Sequence, residues 1–103
     1  MNLTELMEKV ETSCQFDNSN YPGLQSMSDK ERKLFSIRHI LLHQLRAMGD
    51  LSGVIDKSEH GEGLDEENLK LAIKKLFINT LRLAQIADMT HYDLARDHFP
   101  ELV

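Results

Sequence analysis

Two long stretches with the same apolar spacing, separated by a short run that breaks it, constrain this chain more than any other feature. From Ser28 to about Lys57, apolar residues recur every three or four positions as Leu34, Ile37, Leu41, Leu45, Met48, Leu51 and Ile55. From about Glu66 to Met89 they recur as Leu69, Ile73, Leu76, Phe77, Leu83, Ala84 and Ala87. This is the period of an amphipathic α-helix, with one stripe of side chains turned toward a core. Between the stretches, KSEHGEG interrupts the period, and Asp65, Glu66 and Glu67 place negative charge where a new helix start is electrostatically positive. The spacing therefore predicts an all-α chain built on a long helical hairpin.

Shorter elements flank the hairpin. Leu3, Leu6, Met7 and Val10 sit at helical spacing, and Asn2 or Thr4 can cap the free amides before them, predicting a short helix to about Cys14. The following FDNSNYPGLQSM is rich in Asp, Asn, Ser, Pro and Gly, residues that favour turns, and reads as a loop. Ser28 with Glu31 three residues later is a capping-box pattern at the start of the first long helix. Gly49 and Gly53 would each cost that helix about 1 kcal/mol against Ala. They suggest a close helix contact or a weakened turn. Thr90 can cap a last short helix, His91 to about His98, before Pro100. Residues 1–103 form one domain of four helices on this reading.

The hairpin carries more apolar surface than one neighbour covers. Phe35 and Leu42 lie off the first stripe, and Leu71, Ile78 and Leu81 form another side of the second helix. A second copy of the hairpin, as a dimer or tetramer, is one way to cover it. A monomer whose short helices fold over it is the other.

Charge and composition narrow the partners. With 17 Asp plus Glu against 12 Lys plus Arg, the chain repels phosphate backbones and anionic lipid surfaces, so neither nucleic acid nor membrane is expected. No apolar run approaches the roughly 20 residues of a membrane span. One cysteine, Cys14, excludes an internal disulfide, and the acidic, amphipathic start differs from a secretory signal. A cytoplasmic location is the expectation.

The order of these features resembles the MazG-like all-α nucleotide pyrophosphohydrolases. The resemblance covers most of the chain and is carried by LTELMEKV, a Tyr-Pro loop, RAMGDLSGVID, a glycine-containing turn and LFINTLRLAQIADMTHYDLA. It implies a helical nucleotide-binding unit in which Glu-Glu-x-x-Glu on one long helix faces Glu-x-x-Asp on the next, together holding magnesium. Hard oxygen ligands suit that ion. In this chain the first set falls on Arg46, Ala47 and Asp50, and the second on Ala72 and Lys75. Only Asp50 is an acid, so the resemblance implies a nucleotide cleft without the usual magnesium hydrolysis and with no resident cofactor. Magnesium would enter only if acids from elsewhere rebuilt the site.

Helical geometry indicates what replaces those acids. His39, His43, Arg46 and Asp50 fall within about 60° of one another on the first long helix, as do Asn68, Lys75, Asn79 and Arg82 on the second. If the stripes share a cleft, Arg46, Lys75 and Arg82 can neutralise phosphate directly, with His43, Asp50 and Asn79 beside them. If they face solvent, Arg46 pairs with Asp50 one turn along. His39 and His43 also have the i, i+4 spacing of a metal pair but lack a third ligand on the same helix. Cys14 has no evident activating base. Phe16, Tyr21 and Pro22 read as a loop anchor against the bundle or as the rim of a pocket.

Three functions remain open on the sequence. The chain is a degenerate pyrophosphohydrolase relative that binds a nucleotide or other phosphorylated small molecule. Alternatively, it is an active, magnesium-dependent nucleoside triphosphate pyrophosphohydrolase whose acids come from elsewhere, such as Asp50 with Asp56, Glu59 or a neighbouring subunit. The third reading is a helical assembly protein that meets its partners through Leu71, Ile78 and Leu81.

Overall fold

A computed structural model describes residues 1–17 and 19–103; Asn18, part of the loop read from the sequence, lies outside the described residues. The described chain is all-α. Four helices follow one another: α1 (Leu3–Ser13), α2 (Asp29–Lys57), α3 (Glu66–Ile86) and α4 (His91–Ala95), with single-turn 3-10 segments at Pro22–Ser26 and Pro100–Leu102. No helix among the described residues is long and apolar enough to cross a membrane.

Helix boundaries follow local chemistry. Asn2 caps α1 by accepting from the Glu5 amide, and Asp65 caps α3 by accepting from the Asn68 amide. Ser28 and Glu31 close the full capping box on α2, so two otherwise unpaired backbone amides are satisfied reciprocally. Thr90 and Asp93 do the same on α4. α2 continues without interruption through Gly49 and Gly53 and opens into a wide turn, Ser58–Glu62, where Gly61 adopts φ 85°. α3 stops at Ile86, three residues before the expected Met89. Asp88 takes the left-handed conformation, φ 57°, and the Met89 amide closes back on the Ala84 carbonyl at 2.9 Å. α4 is correspondingly shorter than its predicted span to His98.

The antiparallel hairpin of α2 and α3 does not close on the centre of the stripe read from the sequence. Its seam on α2 is Ile40, Ala47 and Val54, at seven-residue intervals, and on α3 it includes Ala72 and Asn79. Small residues at 47 and 72 let the helix backbones approach. Gln44 crosses the seam, donating to the Leu76 carbonyl at 3.2 Å and to the Thr80 hydroxyl at 2.9 Å. Leu41, Leu45, Met48 and Ile55, in the middle of the expected stripe, are therefore left exposed beside the seam.

α1 packs on the C-terminal half of α3. Met7 and Val10 bury Leu81, with Leu6, Cys14 and Ile78 packed around them. This corrects the assignment of Ile78 and Leu81 to an outward assembly surface: α1 covers them, and only Leu71 of that set is exposed. α4 is tied to the start of α1 by a 3.0 Å hydrogen bond between the Thr4 hydroxyl and the His91 ring.

Candidate functional site

The polar stripes of α2 and α3 lie on one side of the hairpin. Near its turn they border a groove of about 420 Å³, with Gly49, Asp50, Gly53 and Lys57 on one wall and Asn68 and Lys75 on the other. A Cβ built on Gly49 or Gly53 meets nothing within 4 Å. The glycines thus serve no close helix contact in this chain; they leave the α2 wall of the groove bare.

Farther along the same side, positive charge gathers around His43. Arg82, Arg46 and His39 stand near enough to act on its imidazole, whose pKa is held below the ordinary 6.5 first by loss of solvent around the ring and then by those three groups in that order. Among the described residues neither arginine forms an ion pair with a carboxylate. The Arg46–Asp50 pair expected of a solvent-facing stripe is not made.

The six residues singled out from the sequence divide into two sets. His43, Arg46, Asp50 and Lys75 are exposed on the groove side. Asn79 and Arg82 are structural. Asn79 is buried, donates to the Lys75 carbonyl at 2.9 Å and accepts from Arg82 at 3.2 Å. Arg82 also donates to the Cys14 carbonyl at 2.9 Å and lies 4.8 Å over the Phe16 ring. Its donors are committed to holding the end of α1, while its charge still acts on His43.

The aromatic residues form the wall beyond Arg82. Phe16 and Tyr21 meet Phe35 and His39 edge-on, at centroid distances of 5.1–5.7 Å, and Phe35 stacks on His39 at 4.0 Å. The loop anchor read from Phe16 and Tyr21 is thus built on α2. Its α2 half is Phe35 and His39, one turn apart, so the His39 ring is engaged by this cluster. A second hollow of about 340 Å³ lies between this cluster and α1, lined by Cys14, Phe16, Ile40, Arg82 and Ile86.

The donor set does not fit a magnesium site. Of the five positions that the family resemblance would fill with acids, Ala47 and Ala72 are core residues, Arg46 and Lys75 are cations, and Asp50 stands as the one carboxylate. Asp65, also on the groove, is engaged in capping Asn68. Asp56 and Glu59 border a separate shallow hollow with Met48, Leu51 and Ile55, away from Asp50. Among the described residues no three His, Cys, Asp or Glu side chains are grouped closely enough to hold a metal ion.

No family model, curated protein or solved structure matches the chain.

Proposed function

We propose that this chain is a divergent relative of the MazG-like nucleotide pyrophosphohydrolases, one that binds a nucleotide or other phosphorylated small molecule through side-chain cations and does not hydrolyse it by the family's magnesium chemistry. The observation that carries this reading is the cationic cluster of Arg46 and Arg82 around His43, with no carboxylate paired to either arginine among the described residues. Unpaired cations gathered on the polar side of the hairpin repel one another, and an anion relieves that repulsion. Arg46 supplies a planar fork of donors suited to phosphate oxygens, and Lys75 supplies a point charge from the facing helix. Arg82 contributes its field from a fixed position, and the bare backbone at Gly49 and Gly53 leaves room for the rest of the ligand. The order of helices, with a long antiparallel hairpin between two short ones, supports the family part of the reading.

The test is thermal stabilisation of the purified protein by pyrophosphate and by nucleoside triphosphates, each with and without magnesium, followed by product analysis. Stabilisation independent of magnesium, without turnover, and abolished in Arg46→Gln and Lys75→Gln proteins of unchanged intrinsic stability, is the expected result. Magnesium-dependent release of pyrophosphate would overturn the proposal in favour of an enzyme with rearranged acids. No stabilisation by any phosphorylated probe would leave the groove without a ligand of this class.

A further inference from the structure

The hollow of about 340 Å³ between α1, the aromatic cluster and α3 lies apart from the polar groove. Native interiors leave few voids larger than a water molecule, and this one is at the low end of the roughly 300–1,000 Å³ of small-molecule sites. Its floor is apolar. Val10 of α1 and Ile40 of α2 are 4% and 1% exposed, and Phe16 and Ile86 stand beside them. Such a floor offers nothing to a phosphate, whereas a hydrocarbon side chain laid on it leaves water.

Two opposite charges border the same hollow without meeting. Arg82 reaches it from α3, and Glu11 from the last turn of α1, one turn before Cys14, whose carbonyl accepts from Arg82. Among the described residues Glu11 and Arg82 form no ion pair. The bonds to Asn79 and Cys14 use one N–H on each terminal nitrogen of the guanidinium, leaving the second hydrogen of each and Nε–H for another acceptor. Arg82 is half-buried, where an unmatched charge is costly, and a carboxylate is the partner that suits its fork of donors. Glu11, exposed at the rim, is free to take a cation beside it.

We propose that this hollow binds a free α-amino acid with an apolar side chain. The ligand's carboxylate accepts from Arg82, its ammonium faces Glu11, and its side chain lies on Val10, Ile40 and Ile86. In an α-amino acid both charged groups hang from one carbon, which suits opposite charges held about a helix turn apart on one rim. The side chain then points away from both, toward the floor. The same two charges discriminate against other small molecules. Glu11 repels a phosphate placed on Arg82, and a simple carboxylic acid leaves Glu11 unmatched. The proposal does not rest on the groove binding an anion: Gly49, Asp50 and Lys75 line the groove and not this hollow, and Arg82 alone is common to the two readings.

Amide NMR of the isotopically labelled full chain tests it with three probes: L-leucine, isocaproate, which is leucine without its amine, and isoamylamine, which is leucine without its carboxylate. L-leucine should shift the amides of Val10, Phe16 and Ile86 saturably. Isoamylamine should bind at least about tenfold more weakly, because Arg82 loses its acceptor. Isocaproate should bind about threefold more weakly, a smaller loss because Glu11 is exposed. Glu11→Gln should remove that preference for leucine over isocaproate. Ser36→Phe, which fills the hollow from α2, should abolish leucine binding in a protein whose circular dichroism matches the parent. The absence of any saturable shift at millimolar leucine overturns the proposal, as does isocaproate binding as tightly as leucine, or leucine binding that survives Ser36→Phe. Leucine shifts centred on Gly49 and Gly53 overturn it too. Pyrophosphate binding is read at those two groove amides, so the groove reading succeeds or fails separately.

Discussion

Arg82 donates to the carbonyl of Cys14 at 2.9 Å, joining α3 to the C-terminal end of α1 across 68 positions of sequence. The same guanidinium bonds Asn79 and lies over Phe16, so one side chain holds the helix, the start of the loop and the aromatic wall. Gln85, almost a turn later on α3, donates to the Met7 carbonyl and gives α1 a second attachment.

Arg82→Ala should therefore lower stability by about 1.5–3 kcal/mol, the range for hydrogen bonds to a charged group together with lost packing. Arg82→Lys should recover only part of this, because an ammonium cannot serve Cys14, Asn79 and the Phe16 face together. Urea unfolding monitored by circular dichroism measures both. Equal stability of the alanine and parent proteins would show that α1 docks through Met7 and Val10 alone.

Glycines along the chain should respond to alanine in opposite senses. Gly49 and Gly53 lie within α2 with open space around a built Cβ, so Ala at each should stabilise by about 0.4–1 kcal/mol through better helix propensity and a less free unfolded chain. Gly63 lies at φ 81° in the connection to α3, where Ala should destabilise by about 1–2 kcal/mol despite equal space. Melting temperatures of the three single variants test the contrast. A loss of stability in Gly53→Ala would mean that the bare stretch of α2 is packed against something in solution.

Stability should fall as pH drops through the ordinary histidine value, because His43 binds its proton more readily in the unfolded chain than beside Arg82 and Arg46. The loss begins near pH 6.5 and levels off below the depressed folded value. Asp17 and Asp93 do not share this window. Hydrogen bonds, chiefly from the Asn20 and Thr90 backbone amides respectively, hold both below the usual 3.8, so their contribution persists until the pH falls through that region. Melting curves between about pH 7.5 and about pH 5.5 should show a smaller acid loss for His43→Gln than for the parent. Inorganic pyrophosphate should also shrink the parent's loss, since a bound anion offsets the cations that depress His43. Identical pH slopes in parent and variant would remove His43 from this account.

The helices themselves were legible because their signals are local. A 3.6-residue apolar period, Ser28 with Glu31 and Thr90 before a short helix each act within a turn or two of backbone, so nearby residues alone specify them. The end of α3 was misread by three residues because Asp88 adopts a left-handed conformation that more often belongs to glycine.

What the sequence by itself determined is the set of elements and the polar stripes along the two long helices. Tertiary structure decided how those elements face one another. Helix rotation is set by which residues allow close approach, and small Ala47 and Ala72 draw the seam to one edge of the apolar stripe, leaving Leu45 and Met48 outside it. It also decided that Asn79 and Arg82 hold the fold while Arg46 and Lys75 stay exposed, because a side chain's partners 68 positions away leave no trace in the spacing of its own helix.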